Sequence, residues 1–329
     1  MGSKGTWLKF FVWTIGILVV LELGLRLFGY GRYTVFVPDE RTIWVPAPGH
    51  NKLTVVNHMP ENVNAQGFRS RDDLAPKKSG QVSIFTFGDS VTNGWGVADD
   101  QTYSAVLESL LNSTACPRQN FQVVNAGVNA YSNSLAADRL KAVIDDNYQP
   151  DIVVLAYAFN TGFERLAFLE GAERQNMLRR VELKSYARRS ALYNFLIEDV
   201  LRSLVYYRFR EMLIQGTWNT QKSVPDMDPA PYKVKLTNVW QLCKDRKVQM
   251  VMLMLGSQDQ RTELDQYQTT MLDFARDHKV PLVNMIDVLR SKDHSQLYMD
   301  HVHPTAPAHR MIAEELYKVI RPLDSNCSR

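Results

Sequence analysis

Between residues 82 and 320 short apolar runs alternate with segments of helical periodicity, and this alternation restricts the chain to an α/β fold. Residues 82–87, 121–125, 151–157, 248–255 and 280–285 read as strands, each a brief apolar run bounded by turn residues. Residues 101–112, 134–147, 230–246, 263–278 and 307–320 read as helices. The first of them carries Tyr103, Val106, Leu107, Leu110 and Leu111 at three- and four-residue spacing, which puts them on one face. The expected architecture is a doubly wound, five-stranded parallel sheet with helices on both faces.

A chain of 329 residues, 45% hydrophobic and 22% charged, can bury the core such a sheet needs. We expect one flavodoxin-like domain at 81–323, interrupted at 162–229 by a helical insertion, with a tail at 324–329. The insertion is far longer than an ordinary connection and could serve as a lid, a docking surface or an extra packed helix pair. The net charge is only +3 and no long Lys/Arg run is present, which argues against nucleic acid as a partner. Cys116, Cys243 and Cys327 lie far apart with no C-x-x-C pair, so neither a metal site nor a disulfide framework is indicated, and at most one bridge could form. No cofactor is expected.

The N-terminus is strongly apolar. Residues 10–21 form an uninterrupted run, and the segment 7–28 reaches the ~20 residues that span a bilayer as a helix. Glu22 and Arg26 interrupt it four residues apart, on one helix face, where they can pair near the interface. The alternatives are a cleaved signal peptide or a core helix. No small-x-small cleavage site follows promptly, and the apolar circumference does not suit a surface helix. We therefore expect a cytoplasmic tip and transmembrane signal anchor at 1–29, with Lys4 and Lys9 on the cytoplasmic side. The bulk of the chain would then lie outside the cytoplasm, in the periplasm or at the cell surface. Residues 30–80, rich in Pro, Asn, Arg and Asp, show neither helical nor clear strand period and read as an ordered leader or stalk.

Chemistry-bearing residues follow the expected strands. Gly88-Asp89-Ser90 puts a hydroxyl on the turn leaving the first strand, where a side chain is exposed and the following N–H groups point outward. Asn125-Ala126-Gly127 and Phe159-Asn160-Thr161 follow the second and third strands; Gly127 could present a backbone N–H and Asn160 a side-chain amide to an oxyanion. Asp300-His301-Val302-His303-Pro304 precedes the last helix, and an Asp three residues before a His in a tight turn can hold the imidazole by its Nδ1–H. His301 and His309 lie nearby, but their spacing without a Cys makes poor zinc geometry.

In that order, Gly88-Asp89-Ser90, Gly127, Asn160 and Asp300-x-x-His303-Pro304 resemble the four blocks of the SGNH, or GDSL, hydrolase superfamily, over residues 82–320. The stretch Asn64-Ala65-Gln66-Gly67-Phe68-Arg69, the anchor and the insertion resemble its bacterial membrane-anchored members. The resemblance implies Ser90 as nucleophile, His303 as general base and then acid, Asp300 as its orienting partner, and an oxyanion hole of Ser90 N–H, Gly127 N–H and the Asn160 amide. Asp89 is expected to organise the turn. The third block departs from Gly-x-Asn-Asp, reading Ala158-Phe159-Asn160-Thr161, which keeps the amide but loses the glycine and the acid. The implied activity is hydrolysis of an acyl ester, O-acetyl or short-chain, on an extracytoplasmic carbohydrate or lipid. Two alternatives share the sequence: an O-acyltransferase that modifies a polysaccharide with a membrane acyl-donor partner, and a non-catalytic, membrane-tethered carbohydrate-binding or assembly protein.

Overall fold

Each expected strand alternates side chains between two apolar layers, so burial on both faces sets the position of the sheet. The structure is a computed structural model that describes residues 3–31, 33–49, 51–53, 59–114, 120–201, 228–258, 264–289 and 296–323. In chain order its elements are α1 (Ser3–Leu27), β1 (Phe36–Asp39), β2 (Ile43–Pro46), β3 (Asn51–Leu53), β4 (Pro60–Asn62), β5 (Gln81–Phe87), α2 (Ser90–Asn93), α3 (Tyr103–Thr114), β6 (Asn120–Asn125), α4 (Asn133–Asp145) and β7 (Ile152–Ala156). There follow α5 (Gly171–Ala187), α6 (Ala191–Asn194), α7 (Ala230–Asp245), β8 (Gln249–Met254), α8 (Gln266–His278), β9 (Leu282–Asn284), α9 (Met285–Leu289) and α10 (Ala306–Ile320).

The five strands β5 to β9 pair in parallel in the order β6-β5-β7-β8-β9, the flavodoxin-like arrangement expected. Phe85, Phe87, Val153, Leu155, Met250 and Met252 face a layer with α4, α7 and α8; Ile84, Val154, Val251 and Leu253 face the other, with α3 and α10. This two-sided burial explains why the strands read as continuous apolar runs. The order reverses between β5 and β7, and open α/β sheets bind ligands at the carboxyl ends of the strands flanking such a point.

Boundaries shift where local chemistry intervenes. The last strand contracts to Leu282–Asn284 because helix α9 starts at Met285. Helix α8 starts at Gln266 because Asp265 caps it, accepting from Tyr267 N and Gln268 N, while Gln268 returns a bond to Asp265 N. Helix α3 starts at Tyr103, after a 3-10 turn at Asp99–Gln101. Of the expected helical stretch in the insertion, α5, α6 and a π-helical turn at Phe195–Leu201 are described; residues 202–227 lie outside the described residues, as do Cys116 and Cys327.

The leader differs from its sequence reading. It forms two antiparallel hairpins, β1–β2 and β3–β4, with strands of three or four residues, too short to display a period of two. The Asp39 carboxylate closes the first turn by accepting from Arg41 N, Thr42 N and Thr42 Oγ1. Helix α5 of the insertion packs on this hairpin, where Ile43, Val128, Tyr131, Leu135 and Ala167 form a third apolar cluster.

Helix α1 is long and apolar enough over Gly5–Leu27 to cross a membrane, with mean hydropathy 2.0 across an 18-residue stretch of it. Near its end the Glu22 carboxylate accepts from Ser190 Oγ, Ala191 N and Leu192 N at 2.8–2.9 Å, so α1 is fastened to the start of α6. Arg26 pairs with Glu22 and donates to Arg189 O.

Leu253 is fully buried near the carboxyl end of β8. Replacing it with Ala is expected to cost about 2–5 kcal/mol. Equilibrium urea unfolding checks this; a change below about 1 kcal/mol would contradict the placement of Leu253 in the core.

Candidate active site

The turn after β5 is shaped by close backbone approach. A Cβ at Gly88 would run into the Thr92 side chain, and one at Gly127 into the backbone of Thr92 and Asn93, so only glycine lets α2 and the strand ends meet. Ser90 opens α2, and its Oγ lies 2.8 Å from His303 Nε2. His303 Nδ1 lies 2.7 Å from Asp300 Oδ2, while Asp300 Oδ1 accepts from Val302 N and His303 N at 2.9 and 2.8 Å. The turn carrying both residues is closed by Met299 N donating to His303 O and Thr305 N to Leu297 O. Partial burial pushes the Asp300 carboxyl up, but bonds from the His303 ring and from the His303 and Val302 amides outweigh it and hold the group well below the usual carboxylate range. Ser90, His303 and Asp300 therefore form a hydrogen-bonded series in which an ionised carboxylate orients the imidazole toward a hydroxyl.

The three expected oxyanion donors are engaged differently. Ser90 N–H has no acceptor among the described residues. Gly127 N–H donates to Asn125 Oδ1 at 3.1 Å, and Asn160 Nδ2 donates to Asp89 Oδ2 at 3.2 Å and Tyr131 O at 3.1 Å. The Gly127 N–H thus has a protein acceptor in this structure. An unpaired buried N–H is costly, and the neighbouring Asn125 side chain supplies its acceptor. Both Asn160 amide hydrogens are likewise held by protein oxygens, so neither Gly127 nor Asn160 stands free.

Asp89 is buried to 1% exposure and joins two strand ends, accepting from Val91 N at 2.9 Å, Phe159 N at 2.8 Å and Asn160 Nδ2. Burial pushes its carboxyl up to about 6, against the lowering effect of the Phe159 and Val91 amides. His309 is drawn into the core, where its Nδ1 accepts from Tyr103 N; burial, then the charges of Arg69 and His303, hold it down to about 3, so it is neutral.

Two further residues shape the site without a local sequence signal. Trp95 packs on the His303 ring with centroids 4.2 Å apart. The buried guanidinium of Arg69 donates to Asn93 O and Val97 O at 2.6 Å and to Gly94 O, and pairs with Asp99 at 3.1 Å. Arg69 lies in the leader, and only the tertiary fold brings it against the loop that follows Ser90.

A doubly wound sheet carrying this Ser-His-Asp series at its carboxyl edge defines the class of a serine hydrolase. Residues 86–311 match the GDSL-like lipase/acylhydrolase family. The chain belongs to that family and is an SGNH-type serine esterase or acylhydrolase. Similar solved structures include TesA, at 16% identity and TM-score 0.46 over 73% of this chain and 99% of that one. Axe2, an acetylxylan esterase from Geobacillus stearothermophilus, is 15% identical with TM-score 0.44 over 73% and 94%. The psychrotrophic esterase EstA from Pseudoalteromonas sp. is 14% identical with TM-score 0.43 over 73% and 97%. No curated protein matches the chain by sequence.

The two carboxylates act on stability in opposite directions. Asp89 titrates near 3.8 unfolded and about 6 folded, so the folded state binds the extra proton and this contribution is lost as pH rises from about 4 to 6. Asp300 contributes stability above its unfolded value of 3.8 that is lost as pH falls below it. Asp89→Asn should remove up to about 3 kcal/mol of pH-dependent change between pH 4 and 6. Urea midpoints measured across that window check it; identical slopes in wild type and variant would refute the assignment to Asp89.

Proposed function

We propose that this enzyme hydrolyses an acyl ester of a carbohydrate or lipid outside the cytoplasm, with Ser90 as nucleophile, His303 as general base and then acid, and Asp300 as its orienting partner. The reading rests on one observation, the series Ser90 Oγ, His303 Nε2 and Nδ1, and Asp300 Oδ2 at 2.8 and 2.7 Å. His303 Nε2 takes the Ser90 proton as Oγ attacks the ester carbonyl, and the ionised Asp300 stabilises the imidazolium that forms. The developing oxyanion is held by Ser90 N–H, with Gly127 N–H and the Asn160 amide exchanging their protein acceptors for it. His303 then protonates the leaving alcohol. Water, deprotonated by His303, attacks the acyl-enzyme and releases the acid and free Ser90.

The extracytoplasmic placement is supported by α1, whose length and apolarity suit a single membrane span and whose lysines, Lys4 and Lys9, lie in its N-terminal turns ahead of the apolar run 10–21. We further propose the division into anchor at 1–29, leader at 30–80, catalytic domain at 81–323 with its insertion at 162–229, and tail at 324–329.

Ser90→Ala should lower kcat/KM for a short-chain aryl ester by on the order of 1,000-fold or more and abolish labelling by a fluorophosphonate probe. Equal activity in the variant would overturn the assignment of Ser90. Product analysis with and without a polysaccharide acceptor completes the test: release as free acid without acceptor is expected, and acyl transfer that strictly requires the acceptor would overturn hydrolysis.

A further inference from the structure

Beside the Ser-His-Asp series lies a cavity of about 480 Å³, a volume in the range of small-molecule sites, walled by elements foreign to the sheet. The leader hairpin supplies Phe36 and Trp44, the insertion supplies Phe163, Leu166, Met177 and Val181, and Trp95, the residue packed against the His303 ring, closes the side toward the active site. Its polar side chains are mostly committed to the protein. Thr34 Oγ1 donates to Glu61, Ser185 Oγ to Glu182 O, and Trp44 Nε1 to Asn129 O. A sugar would lose its water without finding partners for its hydroxyls, whereas a hydrocarbon chain gains from such walls.

One edge of the cavity carries charge. Arg180, Lys184 and Arg188 recur every four residues along α5 and form a row on its cavity face. Arg188 is partly engaged, lying over the Tyr33 ring and within reach of Asn194, but Arg180 and Lys184 are exposed and have no ion-pair partner among the described residues. The acid in the lining, Glu61, is buried and bonded to Thr34 and Asn93, so the exposed charges on the cavity edge are the cations of α5, which draw an anion there. The same α5 ends next to α6, where Glu22 of the membrane helix is bound. The row therefore runs toward the end of the membrane helix.

We infer that this cavity is the substrate site for an anionic lipid ester, with the hydrocarbon chain between the leader hairpin and α5 and the acidic head group on Arg180 and Lys184. The inference rests on the serine-hydrolase reading above and narrows its substrate from carbohydrate or lipid to an acidic lipid. In it the ester is presented past Trp95 to Ser90, and the products are the fatty acid and the lipid alcohol.

The test uses the full-length chain in nanodiscs or micelles, offered phosphatidylglycerol and phosphatidylcholine of identical acyl chains, and acetylated neutral oligosaccharide. Wild type should turn over the acidic lipid with the lower KM. Arg180→Gln combined with Lys184→Gln should raise that KM about 30-fold, leave the phosphatidylcholine KM within about twofold, and change kcat little. Arg180→Lys combined with Lys184→Arg, which keeps the charges, should restore the acidic-lipid KM. Val181→Trp, which narrows the cavity, should lower turnover of long-chain relative to short-chain acyl esters. Equal KM values for the two lipids, or preference for the oligosaccharide, would overturn the inference. Fluorophosphonate labelling of the same preparation separates the two readings: labelled enzyme without lipid selectivity refutes only the lipid site, whereas unlabelled wild-type enzyme refutes the serine hydrolase itself.

Discussion

The buried carboxylate of Asp89 is the constraint around which the active-site edge is assembled. It sits between the ends of β5 and β7, the two strands that flank the reversal in sheet order, and it accepts from backbone or side chain on both sides. Removing a carboxylate from water is costly, and amide donors on both sides offset that cost only while both loops keep their positions. The turn that carries Ser90 and the loop that carries Asn160 are thereby held in one geometry, although 70 residues separate them. In a block that has lost the glycine and acid of the usual pattern, this tie explains how the Asn160 amide is still directed to the sheet edge.

Arg69 performs the same service on the other side of Ser90. Its guanidinium caps three carbonyls of residues 93–97 and meets Asp99, while its backbone N–H bonds Asn125 O at the end of β6. A buried guanidinium is tolerable because its donors are met by fixed acceptors. The leader is therefore part of the catalytic domain's structure, and a stalk that merely spaced the domain from a membrane would not need a buried arginine beneath the Ser90 loop.

The sheet and the Ser-His-Asp series were legible in the sequence because each depends on local signals. Strands buried on both faces are apolar throughout, as in Ile152–Ala156, and Asp300 and His303 meet within one turn. Ser90 and His303 could be joined only by the resemblance of ordered blocks, since no local pattern spans 213 residues. The leader hairpins stayed illegible because three- and four-residue strands carry no measurable period, and the first of them, β1–β2, is held by packing under α5. The engagement of Gly127 N–H by Asn125 was hidden for a related reason: an asparagine at a strand end reads as turn chemistry until its partner two residues on is seen in space.

On the membrane reading, Glu22 links these levels. Hydrocarbon satisfies no carboxylate, so Glu22 must lie where water or protein meets it, and here it is met by Ser190 Oγ and the first amides of α6. That places α6 at the interface, and with it the end of α5, which is three residues away in the chain. Because α5 also packs on β1 and β2, and the leader grips the Ser90 loop through Arg69, the height of the active site above the bilayer is set by a continuous series of packed elements. Freedom to reach along an extended polymer would require a slack tether, whereas on the membrane reading this series would hold the site at the membrane surface. On that reading, and with the substrate inferred above, the anchor, the leader and the insertion would constrain the same thing, the approach of a substrate that is itself in or on the membrane.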